Sequence, residues 1–333
     1  MPKVVVPPLP LSGIFAVSKP SGPTSMSVLE DIKRLVGNSR LFVDACKLEN
    51  RPTKGNRKRR KDTVKIGQGG TLDPLADGVL VVGVGKGTKR LSDFLDCVKE
   101  YRTTALLGCE TDSYDCHGAR VRDAPWRHVT KEAVEAVLDK FRGEIYQTPP
   151  IFSALKMDGK PLHEYARQGI PLPRPIEKRK VTVHSLNLVD WMGCNHDFRW
   201  PQKEFSPDQK VALQTALKSV EIDPVIQDKP DEHPGQVPTA FVLSMTVSGG
   251  TYVRSIVHDL GHALGSAAHV VTLTRSRQGG FTLDPKSEED KSCVPWDVFE
   301  KALEDEGGPG EDGWRLWERE ILDRLEIVDA QRQ

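Results

Sequence analysis

Residues 67–78, Gly67-Gln68-Gly69-Gly70-Thr71-Leu72-Asp73-Pro74-Leu75-Ala76-Asp77-Gly78, form the densest cluster of chemically suggestive residues in this 333-residue chain. Three glycines in four positions permit tight turns and close approach of backbone to a ligand. Pro74 stiffens the segment and removes one N–H donor. The Asp73 carboxylate therefore stands on a restrained loop at the lip of the apolar run 79–85. These residues alone leave two readings open: a catalytic carboxylate, or an ordinary turn ending in Asp-Pro.

Other candidate motifs fall short of the spacing their chemistry needs. After Gly67-Gln68-Gly69 a dinucleotide-binding fingerprint requires a sixth-position glycine, and Leu72 stands there. Gly85-Lys86-Gly87-Thr88 lacks the spacing of a phosphate-cradling P-loop. His258 and His262 lie four apart in His-Asp-Leu-Gly-His, on one face of a helix, as zinc ligands would. The metalloprotease pattern needs Glu where Asp259 stands, and Gly261 is a poor helix residue beside a ligand. No third ligand is signalled, although His269 is near in sequence. We expect no metal, and a surface or RNA-facing place for these histidines.

Composition sets the background. Hydrophobic residues make up 38% and charged residues 28%, as in a soluble globular protein. No apolar run approaches the ~18 residues of a membrane span, and the N-terminus carries neither a secretory nor a transit pattern. The six cysteines, Cys46, Cys97, Cys109, Cys116, Cys194 and Cys293, form no C-x-x-C pair. They read as buried filler in a reducing compartment. The net charge of zero conceals a split: residues 281–333 carry 16 Asp/Glu against 7 Lys/Arg, and residues 1–280 carry 31 against 40. A basic body with an acidic tail hints at a polyanionic partner.

The elements that must position these groups can be read from periodicity. Residues 14–17 predict a strand, followed by the turn Lys19-Pro20-Ser21-Gly22-Pro23. A helix is expected from about Ser27, capped by Ser27 and Glu30, with Val28, Leu29, Ile32, Leu35 and Val36 inward and Gly37 as the stop. Strands are predicted at 79–85, 99–108, 180–190 (with a slip or bulge) and 241–247. Helices are predicted from Thr130, with Val134, Val137, Leu138 and Phe141 on one face, and after Gly250, with Val253, Ile256, Val257, Leu260 and Leu264 inward. Trp314, Trp317, Ile321, Leu325 and Val328 form one amphipathic helical stripe. Insertions are expected at 38–66 and 191–238, and seven of the eleven residues 51–61 are Lys or Arg. Mixed elements without βαβ regularity predict an α+β fold with a largely antiparallel sheet.

The block around Asp73, G-G-T-L-D-P-L-A-x-G-V-L, resembles the catalytic motif of the TruB family of pseudouridine synthases. Four further blocks follow the family's order. They are Lys19-Pro20-Ser21-Gly22-Pro23-Thr24-Ser25; Lys99-Glu100-Tyr101; residues 149–167, with Pro149-Pro150, Ser153-Ala154, Lys156 and Tyr165-Ala166-Arg167; and Gly250-Thr251-Tyr252-Val253-Arg254 with Leu273-Thr274-Arg275. The blocks span residues 13–280. Gln68 replaces the His that bacterial members commonly carry, and His163 stands where Tyr is frequent. The insertions look like those of eukaryotic members, and the acidic tail does not resemble the PUA domain of many bacterial ones.

The resemblance implies a pseudouridine synthase fold over residues 1–280, followed by an acidic helical extension over 281–333. It implies isomerisation of uridine to pseudouridine in the T arm of tRNA, at position 55, with mRNA sites as further candidates. The target nucleotide must be flipped out of its stack. Asp73 becomes the catalytic carboxylate, Arg254 the cation that keeps it ionised, and Tyr101 the ring on which the base stacks. Tyr252 and Leu273 line the pocket, and Gln68 and Lys19 are further substrate-binding candidates. Arg57, Lys58, Arg59, Arg60 and Lys61 are candidates for RNA-backbone contact, or for a nuclear address. No cofactor and no metal is expected, nor a membrane. The protein is expected to be a monomer in nucleus or cytoplasm, with a mitochondrial pool. An RNA-folding chaperone and a zinc hydrolase built on His258 and His262 are the alternatives from other classes.

Overall fold

The computed structural model describes residues 8–49, 64–150, 155–168, 170–211, 235–304 and 307–328. The chain forms two compact units: unit 1 comprises residues 1–99 and 275–333, and unit 2 residues 100–274.

Unit 1 begins with β1 (Gly13–Lys19), which enters the Ser25–Val36 helix. This helix starts two residues earlier than its apolar pattern predicts. Thr24, rather than Ser27, is the cap, and its hydroxyl accepts from the Ser27 amide at 3.0 Å. The predicted inward residues Val28, Leu29, Ile32, Leu35 and Val36 are all buried. The expected solvated insertion at 38–66 is partly core: Leu41, Phe42 and Val43 are buried, and a short Ala45–Glu49 helix follows. The basic residues 51–61 lie outside the described residues.

Next come β2 (Ile66–Gln68) and β3 (Asp77–Val84), paired antiparallel to each other. β3 also pairs antiparallel with the whole of β1, from Gly13 opposite Val84 to Lys19 opposite Gly78. Ile14, Ala16, Val79 and Val81 thereby face one core with Leu91, Phe94, Phe281 and Cys293. Alternation along two paired strands puts these side chains on one face, and burying such a face is the main stabilising term.

The chain enters unit 2 along β4 (Lys99–Leu107) and forms the hairpin of β5 (Cys109–Thr111) and β6 (Arg120–Asp123). After the Lys131–Leu138 helix, capped by Thr130, come β7 (Gly143–Gln147), β8 (Lys156–Met157), β9 (Lys160–Pro161) and β10 (Arg179–Gly193). β10 is longer than predicted and contains three register shifts against β11 (Ala240–Val247), which accounts for the broken alternation in its sequence. The start of the second insertion is not simply polar, since Met192, Phe198 and Trp200 pack on Leu106, Ala240 and Val271. The Val253–Ala263 helix leads into β12 (Ala268–Gln278), and the sheet of unit 2 runs β12-β4-β11-β10-β7.

β12 carries the chain back into unit 1, where the order is β15-β1-β3-β12. β13 (Phe281–Thr282), β14 (Lys291–Ser292), β15 (Val294–Pro295) and the Trp296–Glu304 helix follow. Most pairings are antiparallel, but β1–β15 and β13–β14 are parallel, so the architecture is α+β with a mixed, mainly antiparallel sheet. The predicted long terminal helix is short. It covers Leu316–Leu322, burying Trp317 and Ile321, and then the chain turns into β16 (Glu326–Ile327), antiparallel to β1. The open edge of β1 is the reason: a strand partner there satisfies backbone groups that a longer helix would leave unpaired. Gly13 permits the approach, since a Cβ at that position would lie 2.5 Å from the Glu326 carbonyl oxygen. Among the described residues no helix is long and apolar enough to cross a membrane.

Gly78 is a second glycine that the packing demands. Its φ is +105°, and a Cβ there would meet the Arg275 carbonyl oxygen at 2.3 Å. Gly78→Ala is expected to destabilise unit 1 by about 3 kcal/mol, since strain and a backbone clash act together. Urea denaturation checks this, and a change under about 0.5 kcal/mol, the range of neutral surface substitutions, would contradict it.

Candidate active site

In unit 1 the Asp73 loop is held by its backbone. Ser25 Oγ donates to the Leu72 carbonyl at 2.8 Å and accepts from the Leu72 amide at 2.9 Å. The Gly22 amide donates to the Pro74 carbonyl at 2.8 Å, Ser21 Oγ to the Leu75 carbonyl at 2.7 Å, and Lys19 Nζ to the Ala76 carbonyl at 2.6 Å. Asp73's own carbonyl closes a turn by accepting from the Ala76 amide at 3.0 Å. The segment 19–25 is therefore a clamp on residues 72–76. Leu72 and Leu75 anchor the loop in the core, while Asp73 remains half-buried.

Lys19 departs from its expected role in binding substrate. It is only 1% exposed, and its ammonium donates to two carbonyls, those of Ala76 and Pro20 (2.8 Å). Burial lowers its pKa to about 8, against the opposing pull of Asp77 and Asp73, and Arg275 lowers it further. Lys19, Asp73, Asp77 and Arg275 thus belong to one electrostatic group. Gln68 Nε2 donates to Thr71 Oγ1 at 3.3 Å, while Gln68 Oε1 is buried and unpartnered among the described residues.

Two residues that sequence reasoning did not single out, Arg275 and Gln278, also hold this loop. Fully buried Arg275 donates through Nε to the Val79 carbonyl at 2.8 Å and reaches the Thr71 carbonyl at 3.5 Å. Gln278 Nε2 donates to the Gly69 carbonyl and, at 2.8 Å, to the Phe94 carbonyl. Both secure the glycine-rich approach to Asp73. The sequence signal available for Arg275 was its place at the end of Leu273-Thr274-Arg275.

Unit 2 holds the other candidates. Tyr101 on β4 and Leu273 on β12 are buried. Tyr252 precedes the Val253–Ala263 helix, and its peptide is bracketed by buried Gln147. Gln147 Nε2 donates to the Tyr252 carbonyl at 2.9 Å, and its Oε1 accepts from the Tyr252 amide at 2.7 Å. Arg254, 5% exposed, donates to the Ser113 carbonyl at 2.6 Å and lies 3.8 Å from Asp115 Oδ2. Asp115 is a carboxylate the sequence did not signal. Its turn is well determined: Asp115 Oδ1 accepts from Ser113 Oγ at 2.8 Å and the His117 amide at 3.0 Å, and Thr111 Oγ1 donates to its carbonyl at 2.8 Å. Arg57, Lys58, Arg59, Arg60 and Lys61 lie outside the described residues.

One group among the described residues has the donor set of a metal site: Glu110, His258 and His262 offer ligand atoms within 4.8 Å of one another. The third donor that sequence spacing did not signal thus comes from β5. A cation already occupies the group, however. Arg122 Nε donates to Glu110 Oε2 at 3.1 Å, and its Nη2 lies 3.1 Å from His262 Nε2. An added metal ion would have to displace a guanidinium. His258 is not on the surface as expected, but stacked on Tyr114. Two cysteines depart from the expected buried filler: Cys46 and Cys194 are exposed.

Comparison with known proteins decides the family. Residues 58–203 match the TruB family pseudouridylate synthase (N terminal domain). The chain is 38% identical to tRNA pseudouridine synthase 4 of Schizosaccharomyces pombe over 343 residues, covering 86% of this chain and 82% of the relative. The chain belongs to the TruB family of pseudouridylate synthases. It is also 36% identical to pseudouridylate synthase TRUB1 of Mus musculus, covering 88% of this chain and 70% of that one. A chain in the crystal structure of a Cbf5-Nop10-Gar1 complex shares the fold, with TM-score 0.50 at 21% identity over 95% of this chain and 60% of that one.

The buried ammonium of Lys19 has a pH signature. In the unfolded chain a lysine titrates near its ordinary 10.5, and in the native state Lys19 titrates at about 8. Between these values the unfolded chain binds a proton that the native state does not, so this group's contribution to stability rises with pH across that window. The wild type is therefore expected to gain stability relative to Lys19→Met from about pH 8 to about pH 10.5, measured as the difference in urea midpoints. A difference independent of pH in that window would show an ordinary lysine.

Proposed function

We propose that this enzyme converts uridine to pseudouridine in tRNA, at position 55 of the T arm, with Asp73 as its catalytic carboxylate. The observation that carries the reading is the clamp of residues 19–25 on the backbone of residues 72–76, which restrains the loop that carries one half-buried carboxylate. The relatives' names support tRNA as the substrate class.

The chemistry breaks the C1′–N1 glycosidic bond, turns the uracil and joins C1′ to C5. The C5 hydrogen leaves as a proton and N1 ends with one, so the balance needs no oxidant, reductant or nucleotide energy. The burden on the protein is to extract the nucleotide, orient it, and stabilise charge at the sugar and base. Asp73 takes the carboxylate's part. Tyr101 is the aromatic platform for the flipped base, Tyr252 and Leu273 shape its surroundings, and Arg254 is the buried cation that the charge development calls for. Lys19 acts through the Asp73 loop rather than on substrate.

Asp73→Asn tests this, because it keeps the size and the clamped backbone while removing the charge. The expected outcome is no pseudouridine in tRNA incubated with the pure variant, with tRNA affinity near that of the wild type. Product formed at the wild-type rate would overturn the role of Asp73. Pseudouridine mapped at a different tRNA position would overturn the choice of site.

A further inference from the structure

The Val253–Ala263 helix carries Arg254, His258 and His262 at four-residue spacing, which places all three on one face. The β5–β6 hairpin lies against that face and touches each of them. Near Arg254 it offers the Ser113 carbonyl at 2.6 Å and Asp115 Oδ2 at 3.8 Å. Between those two residues stands Tyr114, whose φ of 62° is unusual for a side chain of its size. Its ring stacks on that of His258, with centroids 3.9 Å apart and planes 20° apart. One turn further on, His258 Nε2 lies 3.2 Å from Glu110 Oε1, and His262 Nε2 lies 3.0 Å from Glu110 Oε2.

The pair His258–Glu110 is the shielded one: their side chains are 14% and 16% exposed, against 45% for His262. The charged or titratable groups around His258 are Glu110 from β5, Arg122 from β6 through Glu110 and His262, Tyr114 from the turn, and Asp259, His262 and Arg254 from its own helix. Asp259 Oδ1 sits 2.9 Å from His258 Nδ1. Two carboxylates thus bracket one imidazole, and the arrangement is satisfied when both ring nitrogens carry protons.

We propose that His258, as an imidazolium paired with Glu110 and stacked on Tyr114, is a positioning residue that locks the 112–119 turn to the helix and so sets the geometry of Arg254. The inference rests on the reading of Arg254 as a residue of the reaction. Ser113 and Asp115 flank the ring that His258 holds, so a shift of Tyr114 moves these two groups facing Arg254 together. The positive φ of Tyr114 makes the lock necessary, because an L side chain holds that conformation only where its surroundings determine it.

The lock has a pH window. Burial alone would lower the pKa of His258, but Glu110 and Asp259 raise it to about 9. Burial alone would raise that of Glu110, and His258 and His262 bring it well below the usual carboxylate range. A raised histidine contributes fully below its ordinary value near 6.5 and loses that contribution as pH rises through about 9. The wild type therefore gives up the lock at high pH, where a variant without it has nothing left to lose.

Single-turnover rates of the wild type, His258→Gln, Arg254→Ala and the double variant, measured from about pH 6.5 to about pH 9.5, test this; thermal melting and tRNA affinity are followed alongside. The expected result for His258→Gln is a rate lowered on the order of tenfold at about pH 7, since small misplacements of a reacting group carry costs of this size. The deficit should shrink as pH passes about 9, with tRNA affinity little changed. In the Arg254→Ala background the His258 substitution should add nothing. Glu110→Gln breaks the same pair from the other side and should reproduce the deficit, so a fold defect peculiar to one variant is recognised. A deficit that stays constant with pH, or that persists in the Arg254→Ala background, overturns the lock while leaving Arg254's role intact. A fully active Arg254→Ala removes the reading of Arg254 and the lock with it, which is a distinct result.

Discussion

Hydrogen bonds from residues 19–25 to the backbone of residues 72–76 are the interaction on which the rest of unit 1 depends. They work only because β1 and β3 pair in one register, placing Lys19 opposite Gly78. A slip of one residue would send every β1 side chain to the wrong face and carry the clamp away from the loop. Each such bond contributes about 1 kcal/mol net, but an unsatisfied buried carbonyl costs more, so the loop has few alternative positions. Rigidity at Asp73 is thus built from contacts to the backbone on either side of it.

The buried cations in this protein are served largely by carbonyls. Lys19 donates to Ala76 and Pro20, Arg275 to Val79, and Arg254 to Ser113. Carbonyl dipoles offset part of the cost of desolvation without neutralising the charge. For Lys19 burial outweighs the pull of Asp77 and Asp73 and lowers its pKa to about 8, while Arg254 also has Asp115 Oδ2 at 3.8 Å. The cluster around Glu110 follows the opposite rule: Arg122 and two histidines surround one carboxylate, and their charges compensate locally. Such a cluster suits holding a hairpin in place, and its resident guanidinium argues against a metal ion as the cation.

Much of this was legible in residue order. Asp73 was indicated by its glycine-rich, proline-stiffened setting, β3 by a continuous apolar run of strand length, and β4 by alternation along 99–108. The inward faces of the Ser25–Val36 and Val253–Ala263 helices followed from helical spacing. The five motif blocks in register carried the family. Each of these signals is local, or is a set of local signals in fixed order, and local periodicity records which face of an element is buried.

What the tertiary structure alone decided is who meets whom over long separations. Ser25 with Leu72, Gln278 with Gly69, and His258 with Glu110 are contacts between residues with no shared local pattern. Lys19 illustrates the difference: its motif marked it for the site, but only the fold shows its ammonium turned onto the Ala76 carbonyl. The terminal stripe was misread for a related reason, because a helical pattern does not record that the open edge of β1 recruits residues 326–327 as a strand. Sequence by itself determined most of the elements, the candidate carboxylate and the family, since these rest on patterns carried by neighbours in the chain. The clamp on the loop, the groups facing Arg254 and the shielding of His258 required the fold, since hydrogen bonding and desolvation depend on distances that only packing sets.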